Sequence, residues 1–146
     1  MTDFMEIAIE EAKAASAEGE VPVGAVIVLN GKLLSAAHNM RQARKTATAH
    51  AEIIAIDKAC ALLGDWRLDE CDIYVTVEPC FMCAGAILSA RIKKVYFGAP
   101  EPKFGALVSN ASIFSVPTLN HHPEIEYGFH REEIARLMKK FFRDRR

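Results

Sequence analysis

The sequence predicts an α/β protein, with a mixed sheet of about five strands and helices on both faces. Three observations carry that expectation. Asn30-Gly31 separates two apolar runs, residues 23–29 and 33–37, which is the mark of a two-residue hairpin. Residues 73–77 and 95–97 are short β-branched and aromatic runs flanking a helical stretch, which reads as a right-handed parallel crossover. Amphipathic stretches near both ends supply further helices. The 146 residues, 51% of them hydrophobic, suffice for one domain spanning 1–146.

Each element has its own signal. Asp3 followed by Glu6 resembles a helix-capping pair, and Phe4, Ile7, Ala8, Ala12 and Ala15 recur at helical spacing, so a first helix should end near Gly19. After the hairpin, residues 38–48 are polar and basic, with Arg41, Arg44 and Lys45. They show no period, which predicts a loop. Thr48 is the expected cap of a helix over 49–63 that Gly64 ends, placing His50 and Glu52 in its first turn. Pro79 suits the first turn of a helix over about 81–90. Cys80 and Cys83 then share one face of that turn, where the positive end of the helix favours thiolates. The two helix N-termini are expected to meet near the carboxyl ends of neighbouring strands, where an open α/β sheet binds its ligand.

Residues 98–123 contain Gly98, Pro100, Pro102, Gly105, Pro117 and Pro123 and read as loops with a helical turn near Ser112. Residues 125–127 add a fifth strand. A last helix over 131–145 presents Ile134, Leu137, Met138, Phe141 and Phe142 as its apolar side. Adjacent residues face different sides of a helix, so one of Phe141 and Phe142 belongs in the core, with Phe142 outside.

Composition removes some classes of function. No apolar run approaches the roughly 18 to 20 residues of a membrane span. The start, with Asp3, Glu6, Glu10 and Glu11, lacks the pattern of a signal peptide, so a cytoplasmic protein is expected. The net charge of −1 is uneven, because residues 131–146 hold seven Lys/Arg against three Asp/Glu. Such a segment is either a solvated helix face or a contact for phosphate. Cys60, among Ile53, Ile54, Ile56 and Leu62, reads as a small buried hydrophobe, and Cys71 receives no role.

The chemistry lies in His50-Ala51-Glu52 and Pro79-Cys80-Phe81-Met82-Cys83. One histidine and two cysteines supply three soft ligands to a zinc ion, and Glu52 stands beside them without being needed as a fourth. Three protein ligands leave a position for water, so the pattern points to hydrolysis, with Glu52 as the shuttling general acid/base. A four-cysteine structural zinc using Cys60 and Cys71 is the competing arrangement; Cys60 lies about three turns down its helix from His50, and Cys71 has no partner at short spacing.

H-x-E with P-C-x-x-C is the signature of the zinc-dependent cytidine/deoxycytidylate deaminase superfamily, which this sequence resembles. One branch looks closer. Residues 20–26, Asn39, residues 48–52, 74–76, 78–86 and 97–99 resemble the bacterial tRNA-specific adenosine deaminases, and so do Lys103, Gly105-Ala106, Ser109, Asn120-His121, Phe141-Phe142-Arg143 and Arg145-Arg146. The chain departs from that pattern at Glu101 and Val108-Ser109, where an aspartate and a Gly-Ser pair are common.

The resemblance implies a three-layer α/β/α sandwich of cytidine deaminase type. It implies conversion of adenosine to inosine at the wobble position of a tRNA anticodon loop, by a homodimer with one Zn2+ per subunit. Metal ligation then falls to His50, Cys80 and Cys83, proton transfer to Glu52, and hold of the target nucleotide to Asn39. Val23, Ala49 and Glu78 would line its pocket, Asn120 would meet a flanking base, and Phe142 would lie near RNA. The partner is the anticodon stem-loop, with no DNA and no membrane. A second reading keeps the metal and makes the substrate a free nucleobase or nucleoside of guanine or cytidine type. A third is a catalytically inactive RNA-binding or zinc-stabilised interaction protein, which would have no need of Glu52.

Overall fold

The structure, a computed structural model, describes residues 2–145, so Arg146 of the basic terminus lies outside it. Helix α1 spans Phe4–Ala17, and the Asp3 carboxylate caps it by accepting from the Met5 and Glu6 N–H groups. Strands β1 (Gly24–Leu29) and β2 (Lys32–His38) form the expected hairpin. Asn30 and Gly31 both take positive φ, 52° and 75°, as a tight turn of that hand requires.

A one-turn helix α2 (Arg41–Arg44) interrupts the stretch expected to be irregular. Its cause is remote in sequence: the buried Glu20 carboxylate accepts from the Gln42 and Ala43 N–H groups, and no local pattern announces that cap. Helix α3 (Ala51–Leu63) starts at His50 rather than at Thr48, which is exposed and caps nothing. The first amide of α3, that of Ala51, donates instead to Asn39 Oδ1 at 2.8 Å.

Strand β3 (Cys71–Val77), helix α4 (Phe81–Ala90) and strand β4 (Lys94–Ala99) form the expected crossover, with β3 and β4 parallel. Pro79 precedes the N-cap residue Cys80 and so stands just outside α4. A 3-10 turn at Ile113–Ser115, strand β5 (Glu124–Tyr127) and helix α5 (Arg131–Asp144) complete the order.

The strands run β2-β1-β3-β4-β5, with β1 antiparallel to both its neighbours and β4 and β5 parallel to β3. The strands that lead into α3 and α4, namely β2 and β3, are therefore not neighbours. Strand β1 lies between them, and its first amide, Gly24 N–H, donates to the buried Thr76 hydroxyl near the end of β3.

Alternation along each strand divides the core between two faces. Ala25, Ile27, Ile73, Val75, Val95 and Phe97 pack under Ile54, Ala55 and Ala59 of α3 and Ala84 and Ile87 of α4. Val26 and Val28 pack under Met5, Ala8 and Ile9 of α1 and Ile134 of α5. This is a three-layer α/β/α arrangement around a mixed five-stranded sheet. Cys71 is buried as the first residue of β3. Cys60 is only partly buried, packed against the edge of the core under α3 with its thiol 3.6 Å from the Trp66 carbonyl.

Candidate active site

The first turns of α3 and α4 bring His50, Cys80 and Cys83 together across a sequence gap of 30 positions. His50 and Cys80 are the N-cap residues, and Cys83 follows one turn later on the same side. His50 Nδ1 lies 3.8 Å from Cys80 Sγ and 3.5 Å from Cys83 Sγ. The ligand atoms of all three lie within 4.8 Å of one another.

Local electrostatics favour anions at this point. Both helices direct their positive ends at the cluster. A hydrogen bond from Cys83, helped by His50, lowers the Cys80 thiol to about 4. The Cys83 thiol is pushed up, because it faces the sulfur of Cys80 and is buried. The hydrogen bond to Cys80 holds the His50 imidazole above its usual value. Two sulfurs and an imidazole so crowded, with charge favoured on one thiol and opposed on the other, suit a soft dication that takes both thiolates.

Glu52 is buried, and burial pushes its carboxyl up to about 7. Its Oε1 has no hydrogen-bond partner among the described residues. A buried orphan oxygen is costly in a protein core unless the site uses it. A carboxyl poised near neutrality beside three candidate metal ligands is able to take and release a proton there. Donor set and orphaned oxygen together fit a catalytic zinc.

The cluster opens into a cavity of about 560 Å³ whose lining includes Val23, Asn39, Glu52, Glu78, Cys80 and Phe142. Six of the expected residues thus meet in one place with His50, and Cys83 lies directly beneath. Phe141 is buried and Phe142 exposed, as their adjacency on one helix predicts. Two expected contacts fall elsewhere. Ala49 is buried in the sheet-side core, outside the cavity lining, and its carbonyl accepts the Met40 N–H. Asn120 is exposed beside Arg91 and His121, near the opposite end of α4, since the loop before β5 returns to the sheet there.

Glu78 plays a part that its position next to Pro79 does not reveal. It is buried, and its two oxygens accept from the backbone N–H groups of Glu101, Leu107, Val108 and Ser109 and from the Ser109 hydroxyl. Burial works against its charge, but the Ser109 hydroxyl and these amides outweigh it and hold the carboxyl below its usual value. Its acceptor capacity is taken up by the 101–109 loop, which places Lys103 and Phe104 at the cavity rim. The two departures from the family pattern, Glu101 and Val108-Ser109, both belong to this hub.

Replacing Glu78 with alanine strips four buried or half-buried amides of their acceptor, at about 1–3 kcal/mol for each group left unmade. Amide exchange at Leu107, Val108 and Ser109 is expected to speed up at least tenfold while β3 keeps its protection. Unchanged exchange in the loop would refute the hub.

Sequence reasoning passed over several lining residues. Arg41, Lys103, Phe104 and Met138 all border the cavity. Met138 is legible only as part of an apolar helix side, and Phe104 only as an aromatic in a proline-rich loop.

Comparison with known proteins agrees with this geometry. Residues 1–99 match the family described as the cytidine and deoxycytidylate deaminase zinc-binding region. The tRNA-specific adenosine deaminase of Agrobacterium fabrum is 46% identical over 145 residues, covering 99% of this chain and 95% of the relative. That of Bacillus subtilis is 45% identical over 143 residues, covering 98% and 89%. A solved structure from work on A-to-I editing by tRNA:A34 deaminases at the wobble position of transfer RNA superposes with a TM-score of 0.89. It is 46% identical and covers 92% of this chain and 97% of that one.

Proposed function

The chain belongs to the cytidine and deoxycytidylate deaminase family, in its tRNA-specific adenosine deaminase branch, and from that premise we propose that it deaminates adenosine to inosine at the wobble position of a tRNA anticodon. The observation that carries the proposal is the buried Glu52 carboxyl, its Oε1 without a partner, beside His50, Cys80 and Cys83 at the floor of a cavity roomy enough to admit a purine nucleotide.

His50, Cys80 and Cys83 would hold one zinc ion per subunit, which supplies water of lowered pKa for attack on the adenine ring. Glu52 accepts the proton of the attacking water. It hands that proton to the ring nitrogen beside the reacting carbon, then takes the remaining proton of the added hydroxyl and passes it to the amine, which leaves as ammonia while the carbonyl forms. Asn39 fixes the start of α3 through its Oδ1, which leaves its amide N–H groups to hold the nucleotide. Val23 and Phe142 shape the walls, and Glu78 contributes through the loop that it holds.

A loop base can be splayed out of its strand at small cost, whereas a duplex base must first be unpaired. The exposed Phe104 and Phe142 rings at the mouth offer stacking surfaces for the neighbouring bases. The proposal includes a single domain and a homodimer. The exposed Phe81 and Met82 and the open side of Gly85 give α4 an uncovered apolar face in support. It also includes a cytoplasmic location, where tRNA is found; no helix among the described residues is long and apolar enough to cross a membrane.

The purified, zinc-loaded chain is expected to convert an anticodon stem-loop with adenosine at the wobble position to its inosine form. Chelation should stop the reaction and zinc should restore it. Free adenosine, guanine and cytidine should release no ammonia at a comparable rate. A zinc-loaded protein inert on the stem-loop would sink the proposal, and rapid turnover of a free base would replace it with the small-molecule reading.

A further inference from the structure

We infer that Arg41 contacts a phosphate of the bound strand at the cavity mouth, and that the buried Glu20 is the residue that positions it. The inference rests on the proposed reaction and adds a reason why an RNA strand, and not a free base, is taken.

Glu20 is only 2% exposed. Its Oε1 accepts from Gln42 N–H at 3.0 Å and its Oε2 from Ala43 N–H at 2.8 Å. These amides belong to the start of α2, which is four residues long and whose N-cap residue, Met40, makes no side-chain cap. A single helical turn does not hold itself together in water. Burying a carboxylate is costly unless it is fully hydrogen-bonded, and here both oxygens are bound by the one turn. The molecule thus commits a buried acidic side chain to fixing a surface turn that packs no apolar residue of its own, since none of its four residues is buried.

What that turn presents is Arg41. Its side chain lines the cavity together with Asn39, His50 and Glu52, and it has no carboxylate partner among the described residues. Lys103 borders the same cavity from the 101–109 loop. When an adenine ring reaches Glu52 on the floor, its sugar and phosphate remain at the mouth. A guanidinium held there offers two parallel N–H groups to phosphate oxygens. A free base offers it nothing.

The test is steady-state kinetics of the zinc-loaded full chain on the stem-loop over a range of salt. For Arg41→Ala, KM is expected to rise about tenfold, with kcat within about twofold of wild type. The plot of log kcat/KM against log salt should flatten by about 0.7, the share of one single-strand phosphate. Glu20→Gln keeps one carbonyl for two amides and should give the same pattern. The double variant should be no worse than Arg41→Ala alone, because both changes remove the same contact.

Should Glu20→Gln fail to fold, Glu20→Asp, which keeps the charge but is too short to span both amides, takes its place in the comparison. An Arg41→Ala protein with unchanged KM and salt slope overturns the inference while the reaction stands. Multiplying defects in the double variant overturn the role of Glu20. A wild-type protein that makes no inosine removes the reading of the reaction itself, and this inference with it.

Discussion

Replacing Glu52 by alanine is expected to yield a folded protein that binds zinc and the stem-loop and deaminates about 10²–10⁴-fold more slowly, or not measurably. Alanine leaves the three candidate metal ligands intact and removes the one group able to relay the proton. The thermal midpoint should hold or rise, because the change deletes a buried carboxyl whose Oε1 has no partner. That pairing of lost activity with retained stability separates a proton carrier from a structural residue. Single-turnover assays, zinc content and a melting curve read the three quantities. A variant with near-normal turnover would remove Glu52 from the mechanism.

Gly24→Ala is expected to cost several kcal/mol, on the order of 4, although Gly24 itself does not line the cavity. A Cβ at this position would stand 1.9 Å from the Ala8 carbonyl oxygen and 2.8 Å from the Ala12 amide nitrogen. Both obstacles are backbone atoms of α1, so relief requires lifting that helix off β1. The same displacement endangers the hydrogen bond from Gly24 N–H to Thr76 that ties β1 to β3. A domain of this size has about 5–15 kcal/mol in total. A large drop in the urea midpoint, or failure to accumulate as soluble protein, is the expected result. A midpoint equal to that of wild type would show that α1 is free to shift.

The sequence made some of this visible and left other parts hidden for identifiable reasons. The hairpin was legible because Asn30-Gly31 encodes its turn locally, and α4 because its apolar run begins directly after a proline. His50, Glu52, Cys80 and Cys83 were legible because spacing within one helical turn is a local property. Helix α2 was not, since its cap comes from Glu20, some 22 positions earlier. The same holds for the start of α3. Thr48 is the better cap by its place in the sequence, yet Asn39 takes the role because it reaches the Ala51 amide across the turn of α2. Glu78 reads as one more residue before a cysteine motif, and only the folded loop reveals its five donors. Asn120 matches a family position, but the strand that follows it draws it to the other end of α4. What escaped the sequence is consistently a contact between segments far apart in the chain.

The place of β1 between β2 and β3 has a kinetic consequence. His50 and Cys80 meet only after β1 has paired with β3, a register that joins Ala25 to Val75 across 50 positions of chain. Closing a loop of that length is slow compared with forming a hairpin or a helical turn. The proposed zinc therefore has no complete coordination sphere to enter in an early, locally ordered chain. It should be acquired late, as a cargo of the nearly finished sheet, so that refolding rates are indifferent to the metal while the recovery of activity waits for it.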